Sequence, residues 1–561
     1  MSPDEAPPDE APPGEPAGEA GAVRLGRSAL VMATGTALSR ITGMGRFIAL
    51  AFALGVTESR LADSYNIANT MPTVIYELVL GGVLSSVFIP VIVQELRTKP
   101  HDEAWDSVSA VTSVSLVVLL GLSALAIVLA PLIIGLFTLR LSGSAAASQQ
   151  ELATFFLRIF APQVAFYGMA AVAGALLNAH DRFAVPMFAP ILNNVVVIAT
   201  CLAFAGVVQG TPTDATIGGN VGERLLLAIG TTAGVATMAL VQWPYVRRLP
   251  GRLRLRVDFR HPVVRKLARL SAWTLAYVGI NQIGFGAILY LANGVQGGPT
   301  AFVIAFAFFQ LPYGIVAVSV MTALVPTLAA RHVEGDDAGF RGWLAGGLRA
   351  TFLVLVPATA GYLVLSRPLI QTLLEHGVAS SASTPVVASV LDMFAIGLVP
   401  FSAYLVLLRA FYARQDARSP VTINVASTGS QIVFALVLFP HLEVRGLALA
   451  HSLSYFVAAL VAAAVMGRRL GGLETRRTLR ELGKVTVATL AATAAMLGAQ
   501  AIVRSQIGPG SGRALTELVV AGGAGAIVFL AAARAVRVEE LALIANLVPA
   551  RWRSKGSTPP K

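Results

Sequence analysis

The sequence predicts an all-α polytopic membrane protein with about fourteen transmembrane helices, in two six-helix lobes plus two C-terminal helices. Three observations support this fold class: the composition, the number of apolar stretches and the placement of basic residues. Of 561 residues, 55% are hydrophobic and 13% are charged, whereas soluble proteins average roughly 25% charged residues. Because charge is so depleted, most of the chain cannot face water.

The apolar stretches are long enough to be membrane-spanning helices, each of which needs about 20 apolar residues. The second and seventh stretches contain polar residues, so a plain hydropathy window could miss them. The fourteen predicted spans are 28–55, 62–96, 107–138, 151–178, 184–208, 223–246, 265–294, 300–330, 342–365, 385–412, 420–439, 446–467, 481–503 and 515–536.

The placement of lysine and arginine predicts the orientation, because loops on the cytoplasmic side carry an excess of them. With the N-terminus inside and fourteen spans, the cytoplasmic side collects 30 of the 42 basic residues and the outer side 7; five fall within spans. A wrong span count would erase this bias. We therefore expect a multi-pass protein of the cell (plasma) membrane with both termini cytoplasmic, and the net charge of +12 does not indicate nucleic-acid binding.

Two pairs of prolines suggest an internal repeat. Pro90 and Pro326 lie 236 residues apart, and Pro186 and Pro420 lie 234 apart, in comparable sequence contexts. We predict the following units: a disordered cytoplasmic tail (1–26), an N-lobe of helices 1–6 (27–249), a basic cytoplasmic linker (250–264), a C-lobe of helices 7–12 (265–469), helices 13–14 (470–537) and a cytoplasmic tail (538–561).

The sequence offers no catalytic, metal or cofactor motif. Its single cysteine, Cys201, lies in an apolar run and can form neither an internal disulfide nor a cysteine-based metal site. No Walker A loop, GxSxG or HExxH motif is present. A membrane-embedded glycosyl- or phosphotransferase would need clustered acids or a large loop domain, and the sequence has neither.

Two arginines in the first span, Arg40 and Arg46, are the strongest candidate site residues. Each costs roughly 2.5–3.5 kcal/mol at membrane depth, so we expect both to face a protein interior or a wet cavity. Guanidinium groups suit phosphate oxygens, which favours an anion site. The alternative is a structural ion pair with Glu77 in helix 2 or with Asp63 at its outer end.

Other polar residues in predicted spans are weaker candidates. Glu77 could contribute to a site or only neutralise an arginine, and Asp392 has the same ambiguity. Asn281 and Gln282 in helix 7 and Gln310 in helix 8 could face the cavity or form helix-to-helix hydrogen bonds. The basic linker could be an anchor at the headgroup surface, or it could act in gating or partner contact.

Several motifs resemble the MurJ (MviN) family, the lipid II flippases of the MOP exporter superfamily. They occur in order over most of residues 28–540: Ser39-Arg40 with Gly43 and Arg46, Asp63 in LADSYNIANTMP, LLNAHDRFAVPMFAPILNN (176–194), FFQLPYGI (308–315) with TALVP (322–326), LLEHG (373–377) and FYARQDARSP (411–420).

This resemblance implies a two-lobed bundle with a central cationic cavity that carries undecaprenyl-diphosphate-linked peptidoglycan precursor outward by alternating access. It places Arg40 and Arg46 in that cavity, makes Asp63 a functional polar position, and assigns the last two helices a groove for the lipid tail. The chain differs from many members at Tyr76 and Ala307, where they carry arginines. These departures keep a second cargo open, another polyprenyl-linked glycan or a hydrophobic drug.

The implied partners are the lipid-linked precursor, membrane lipids and possible cell-wall synthases or divisome proteins. An inert scaffold for cell-wall enzymes is a further alternative, and it would tolerate loss of both arginines.

Overall fold

The computed structural model describes residues 17–81 and 89–541, and helices joined by short turns make up this part of the chain. The helices are α1 (Ala17–Leu54), α2 (Leu61–Tyr76), α3 (Ile89–Thr98), α4 (His101–Thr138), α5 (Gly143–Phe160), α6 (Gln163–Ala179), α7 (Ala184–Val207), α8 (Asp214–Gly219), α9 (Val221–Leu240), α10 (Trp243–Val246), α11 (Pro262–Ala292), α12 (Gly298–Val333), α13 (Asp337–Leu374), α14 (Ser383–Ile396), α15 (Leu398–Ala413), α16 (Arg418–Leu470), α17 (Thr475–Gln506) and α18 (Ser511–Ala535).

The all-α polytopic prediction is confirmed, but the count of fourteen spans is not. Within the described residues, eleven helical segments are long and apolar enough to cross a membrane. The pair α14–α15, bent by 47° around Gly397, would make a twelfth.

Two stretches account for the difference from fourteen. Helix α16 has 53 residues and a non-helical residue inside it, Glu443 at φ 51°. The segment is two helices that meet at a kink at Glu443, and their summed length of about 80 Å is more than twice the roughly 30 Å hydrocarbon core. The predicted span 62–96 includes residues 82–88, which lie outside the described part of the chain. Fourteen spans therefore stays a prediction.

The buried apolar side chains form separate clusters. In the first half of the chain, one cluster joins α1, α2, α5, α7 and α9 around Tyr65 and Phe156, and a second joins α3, α4 and α6 around Trp105. The largest cluster lies in the second half and includes Phe309 and Phe394, whose ring centroids are 5.4 Å apart. Each half thus supplies most of its own apolar cores, with contributions from the other half such as Ala51 and Leu289.

The bundle has two ends, which we name by their loops. The linker end carries residues 247–261 between α10 and α11. The far end carries the loops 55–60, 293–297 and 375–382, which are joined by hydrogen bonds. At the linker end, Val538 and Leu541 pack against α13 and α17, so the chain just after α18 belongs to the packed bundle.

Candidate functional site

Arg40 and Arg46 lie half-buried on α1. The Nε atom of each is buried without a hydrogen-bond partner. The ion pair that the sequence left open is not formed, because both proposed acids bond elsewhere. Glu77 accepts a hydrogen bond from Gln282, and Asp63 accepts hydrogen bonds from the start of α12. The two guanidinium groups thus lie inside the protein without a carboxylate partner in the described part of the chain.

The guanidinium of Arg40 rests against the backbone of α12 at Gly314. A Cβ atom at that position would come within 2.7 Å of Arg40 Nε and Nη1, a separation that real Cβ contacts do not show. Tyr313 is the residue directly before Gly314 on this helix. Because α1 and α12 belong to different halves of the chain, this contact bridges them inside the bundle.

Arg46 lies beside an aromatic ring of its own helix. Its Cζ is 5.2 Å from the centroid of the Phe47 ring. Its buried Nε atom has no hydrogen-bond partner, and no acid among the described residues forms an ion pair with its guanidinium group.

Glu77 begins a short π-helical turn, Glu77–Gly81, that follows α2 directly. Wide turns of this kind occur often at functional sites. The bond from Gln282 Nε2 to Glu77 joins α11 to this turn. Tyr76 lies next to it and packs on Tyr167 with ring centroids 5.7 Å apart. Tyr76 thus gives the site an aromatic surface where many relatives are expected to have a cation.

The two amides that the sequence nominated occupy different positions. Asn281 Nδ2 donates to the carbonyl oxygen of Tyr277 at 3.2 Å, one turn back on its own helix. Gln310 is half-buried on α12, four residues before Gly314 and hence on the same helix face. Gln310 is therefore placed on the face that receives Arg40, whereas the hydrogen bond of Asn281 is internal to α11.

Asp63 lies apart from the arginines, at the far end, and is completely buried. Its carboxylate accepts hydrogen bonds from Gly297 N at 2.7 Å, Thr300 N at 3.1 Å and Thr300 Oγ1 at 2.7 Å. These donors belong to the first turn of α12, so Asp63 caps a helix of the other half. An anion at a helix N-terminus is stabilised by unpaired N–H groups and by the helix dipole.

A second carboxylate at the far end, Glu58, was not found from the sequence. It accepts hydrogen bonds from Ser380 N and Ser380 Oγ, both at 2.7 Å, and from Ser383 Oγ at 2.8 Å. Burial by itself raises the pKa of Glu58, but these bonds and that from Val56 N outweigh it and hold the pKa below its ordinary value. Glu58 therefore joins the loop after α1 to the start of α14 as an anion.

Amide side chains complete the junction of the two halves. Asn293 binds Gln149 Nε2 at 2.9 Å through its oxygen and donates to Phe137 O at 3.0 Å. Arg60 donates to Asn293 O at 3.0 Å. We call the hydrogen bonds of Asp63, Glu58 and Asn293 to the opposite half the far-end closure. Of these three residues, the sequence analysis identified only Asp63 as a candidate site residue. Glu58 and Asn293 are loop or helix-end residues whose partners in the opposite half lie more than a hundred positions away.

The last two helices form an apolar groove with α13. A cavity of about 520 Å³ lies between them, lined by Leu353, Pro357, Met496, Gly525, Phe529 and others, with Arg534 among its lining residues. Arg349, one of the five arginines within the predicted spans, is buried and binds Glu540 Oε1 at 2.6 Å and Glu474 Oε2 at 3.2 Å. These ion pairs tie both ends of the α17–α18 hairpin to α13.

The sequence of this chain is similar to those of known proteins. Residues 50–515 match the family described as lipid II flippase MurJ, which is most of the chain. The chain belongs to the MurJ family. Among curated MurJ relatives, the probable lipid II flippase of Rhizobium meliloti is 30% identical over 88% of this chain and 91% of its own. That of Vibrio cholerae is 27% identical over 84% of this chain and 89% of its own.

Solved structures give the same fold. A lipid II flippase MurJ in an inward closed conformation covers 92% of this chain and all of its own, with a TM-score of 0.71 at 21% identity. An inward-facing multidrug resistance MATE transporter of the MOP superfamily covers 77% of this chain and 95% of its own, with a TM-score of 0.62 at 16% identity. The MurJ fold of this chain is thus also that of exporters with other cargo.

Proposed function

We propose that this MurJ-family chain is a lipid II flippase, which moves undecaprenyl-diphosphate-linked peptidoglycan precursor from the cytoplasmic to the outer leaflet by alternating access. It makes and breaks no covalent bond, so it is a transporter and not an enzyme. The observation that carries the proposal is the pair of arginines on α1, whose buried Nε atoms have no partner.

Arg40 and Arg46 suit a diphosphate for an electrostatic reason. A half-buried cation without a counter-ion is less favourable than a paired one, and an anionic headgroup between the lobes would reduce that cost for both. Planar guanidinium donors match phosphate oxygens in pairs. Gln310 and Tyr313, on the same helix as Gly314, would add neutral hydrogen-bonding groups for the sugar or the peptide.

The far-end closure acts as the outer gate in this proposal. Asp63 and Glu58 hold the starts of α12 and α14 against the first half, which closes that end of the bundle. Outward release then requires these bonds to break, and their re-formation resets the carrier. The groove between α13, α17 and α18 would hold part of the polyprenyl tail, since its lining is almost wholly apolar.

The orientation completes the proposal. The linker end faces the cytoplasm, both termini are cytoplasmic, and the protein resides in the cell membrane. Its partners are the lipid-linked precursor, membrane lipids and cell-wall synthases or divisome proteins that consume the exported precursor.

The second candidate is a MOP-type exporter of another polyprenyl-linked glycan or of a hydrophobic drug. Tyr76 favours it, because an aromatic pair with Tyr167 replaces a cation expected in many relatives. Ala307 removes a second one. A headgroup with one phosphate would need less positive charge than a diphosphate.

A flipping assay with defined lipids separates these candidates. The full-length protein in liposomes is given lipid II or an undecaprenyl-phosphate-linked sugar on one side, and appearance on the other side is measured. Transport of lipid II that falls at least tenfold in Arg40→Ala and Arg46→Ala supports the proposal. Arg158→Ala serves as the control for removing an arginine within a predicted span. Transport of only the monophosphate lipid establishes the second candidate, and unchanged flipping in both arginine variants contradicts a cationic site.

A further inference from the structure

The basic strap, residues 250–260 between α10 and α11, is fixed to the first half of the chain. Arg254 N donates to Ser109 Oγ at 3.1 Å, and Arg256 N donates to Ser113 Oγ at 2.9 Å. Gly251 lies so close to the Trp105 indole that any side chain there would overlap it. The strap therefore lies along the first turns of α4 in a defined position.

The position along α4 places the strap at the membrane surface. Helix α4 has 38 residues and is about 57 Å long, well beyond the roughly 30 Å hydrocarbon core. Its polar start, HDEAWDSVSAVTSVS, ends at Ser115, and an almost unbroken apolar run follows from Leu116. Ser109 and Ser113 lie in the last two turns before that run, so the strap lies where α4 enters the bilayer.

The strap carries exposed cations with few acidic partners. Nine lysines and arginines and one acid, Asp258, occur between positions 247 and 269. Arg256 pairs with Asp106 and Asp258. The side chains of Arg252, Arg254 and Arg260 are exposed, and none has an ion pair within the part of the chain that the structure describes.

Exposed apolar side chains alternate with these cations. Leu255 is 83% exposed, Phe259 54% and Val257 48%. Such residues rarely cluster on a surface that faces water alone. Alternation of apolar and basic residues at the edge of the hydrocarbon is typical of segments that lie in the interface of an anionic membrane.

We propose that the basic strap is a binding site for anionic phospholipids of the membrane leaflet at the linker end. Arg252, Arg254 and Arg260 contact the phosphate groups, and Leu255 and Phe259 enter the interfacial layer. Because the strap is fixed to α4 and is followed directly by α11 at Pro262, a bound lipid lies at the connection between the two lobes.

The test compares two variants that lose the same charge. The strap variant is R252Q/R254Q/R260Q. The control variant, R418Q/R468Q/R476Q, removes three exposed arginines of the same end that also lack ion pairs among the described residues. Full-length proteins are placed in nanodiscs of phosphatidylcholine, with or without phosphatidylglycerol, and retained phosphatidylglycerol is counted by native mass spectrometry. Hydrogen exchange of residues 250–260 is measured in parallel.

We expect the strap variant to lose phosphatidylglycerol affinity by roughly 100-fold, the effect of three interfacial charges, while the control variant stays close to wild type. Phosphatidylglycerol should slow exchange of the strap in wild type and control only. The variant L255S/F259S, with its charges intact, should lose most of that slowing.

Equal loss in both triple variants would show a general charge effect, and unchanged binding in the strap variant would place the lipid elsewhere; either result overturns the proposal. Equal melting temperatures of the wild type and the variants in phosphatidylcholine nanodiscs would verify that all of them are folded.

Discussion

The position of Arg40 depends on a residue in another helix, Gly314. The sequence predicted that Arg40 faces a protein interior or a wet cavity, but the space that receives its guanidinium at Gly314 forms only when two helices lie side by side. Gly314 follows a tyrosine in a segment that reads FFQLPYGI, and no local rule assigns it a contact 274 positions away. The role of Gly314 in holding Arg40 follows from the three-dimensional packing, since a Cβ atom at this position would overlap the guanidinium.

Replacing Gly314 by alanine should therefore impair transport through Arg40. The new methyl group would overlap the guanidinium, so one of the two groups must move; extra methylene groups in a packed site cost about 1–3 kcal/mol after such shifts. We expect Arg40 to swing away instead, so that lipid II flipping in Gly314→Ala falls nearly as far as in Arg40→Ala.

The matched control is Gly121→Ala in α4, where a Cβ would meet nothing within 4 Å. Flipping should be unchanged there, since alanine favours helix formation over glycine. A Gly314→Ala protein with normal flipping and normal stability would show that transport does not depend on the space that Gly314 leaves for the Arg40 guanidinium. The double variant with Arg40→Ala should be no worse than Arg40→Ala alone.

At the scale of helices, the far-end closure rests on a helix start capped by a residue from another helix. Helix α12 begins at Gly298, and Gly297 before it has φ 76°, a conformation that glycine adopts easily. Val56 O and Thr57 leave no room for a side chain there. Asp63 then supplies the capping carboxylate that α12 lacks in its own sequence.

Asp63→Asn should loosen the far end. A carboxylate has two oxygens for the three donors of Gly297 and Thr300, whereas an amide retains one, and each charge-assisted bond contributes about 1.5–3 kcal/mol. Ala379, at the same end, is buried. A cysteine placed there should react faster with a membrane-impermeant maleimide in the Asp63→Asn protein.

Asp214→Asn is the control, because Asp214 is also a buried far-end carboxylate but binds Ser64 within the first half. Cys201 is buried and should stay unlabelled. Equal labelling of Ala379→Cys in both backgrounds would mean that Asp63 does not hold the closure.

The α17–α18 hairpin is attached through buried charge. Glu540 is almost fully buried and faces Arg349, so Glu540→Gln leaves part of a buried cation unpaired. We expect a loss of about 3 kcal/mol in unfolding free energy, measured by thermal or denaturant unfolding of the purified protein. Glu539→Gln changes the neighbouring acid, which pairs with Arg477 and Arg480 at the surface, and should have little effect. Similar losses in both variants would contradict a special role for the buried pair.

At the scale of the whole molecule, the sequence predicted properties that depend on local composition. Depleted charge and apolar stretches predicted a helical membrane protein. The position of Arg40 and Arg46 within a predicted span made them candidate site residues. The sequence could not predict that Asp63 would cap α12 and not pair with an arginine, because its partners Gly297 and Thr300 lie more than 230 positions away. It also left Glu58 unnoticed, since a loop glutamate has an ordinary appearance until Ser380 and Ser383 are beside it.

The orientation and the parity of the spans are the remaining whole-molecule prediction. With six spans before it, the basic linker lies on the side of the N-terminus. An even number of spans after the linker then brings the C-terminus back to that side, and an odd number puts it opposite. In a Cys201→Ser background, single cysteines at Ser381, Arg252 and Lys561 report the far end, the linker end and the C-terminus. With an impermeant maleimide, intact cells should label only Ser381→Cys, and permeabilised cells should label all three. Labelling of Lys561→Cys in intact cells would refute fourteen spans, and labelling of Arg252→Cys would reverse the orientation and with it the outward direction of transport.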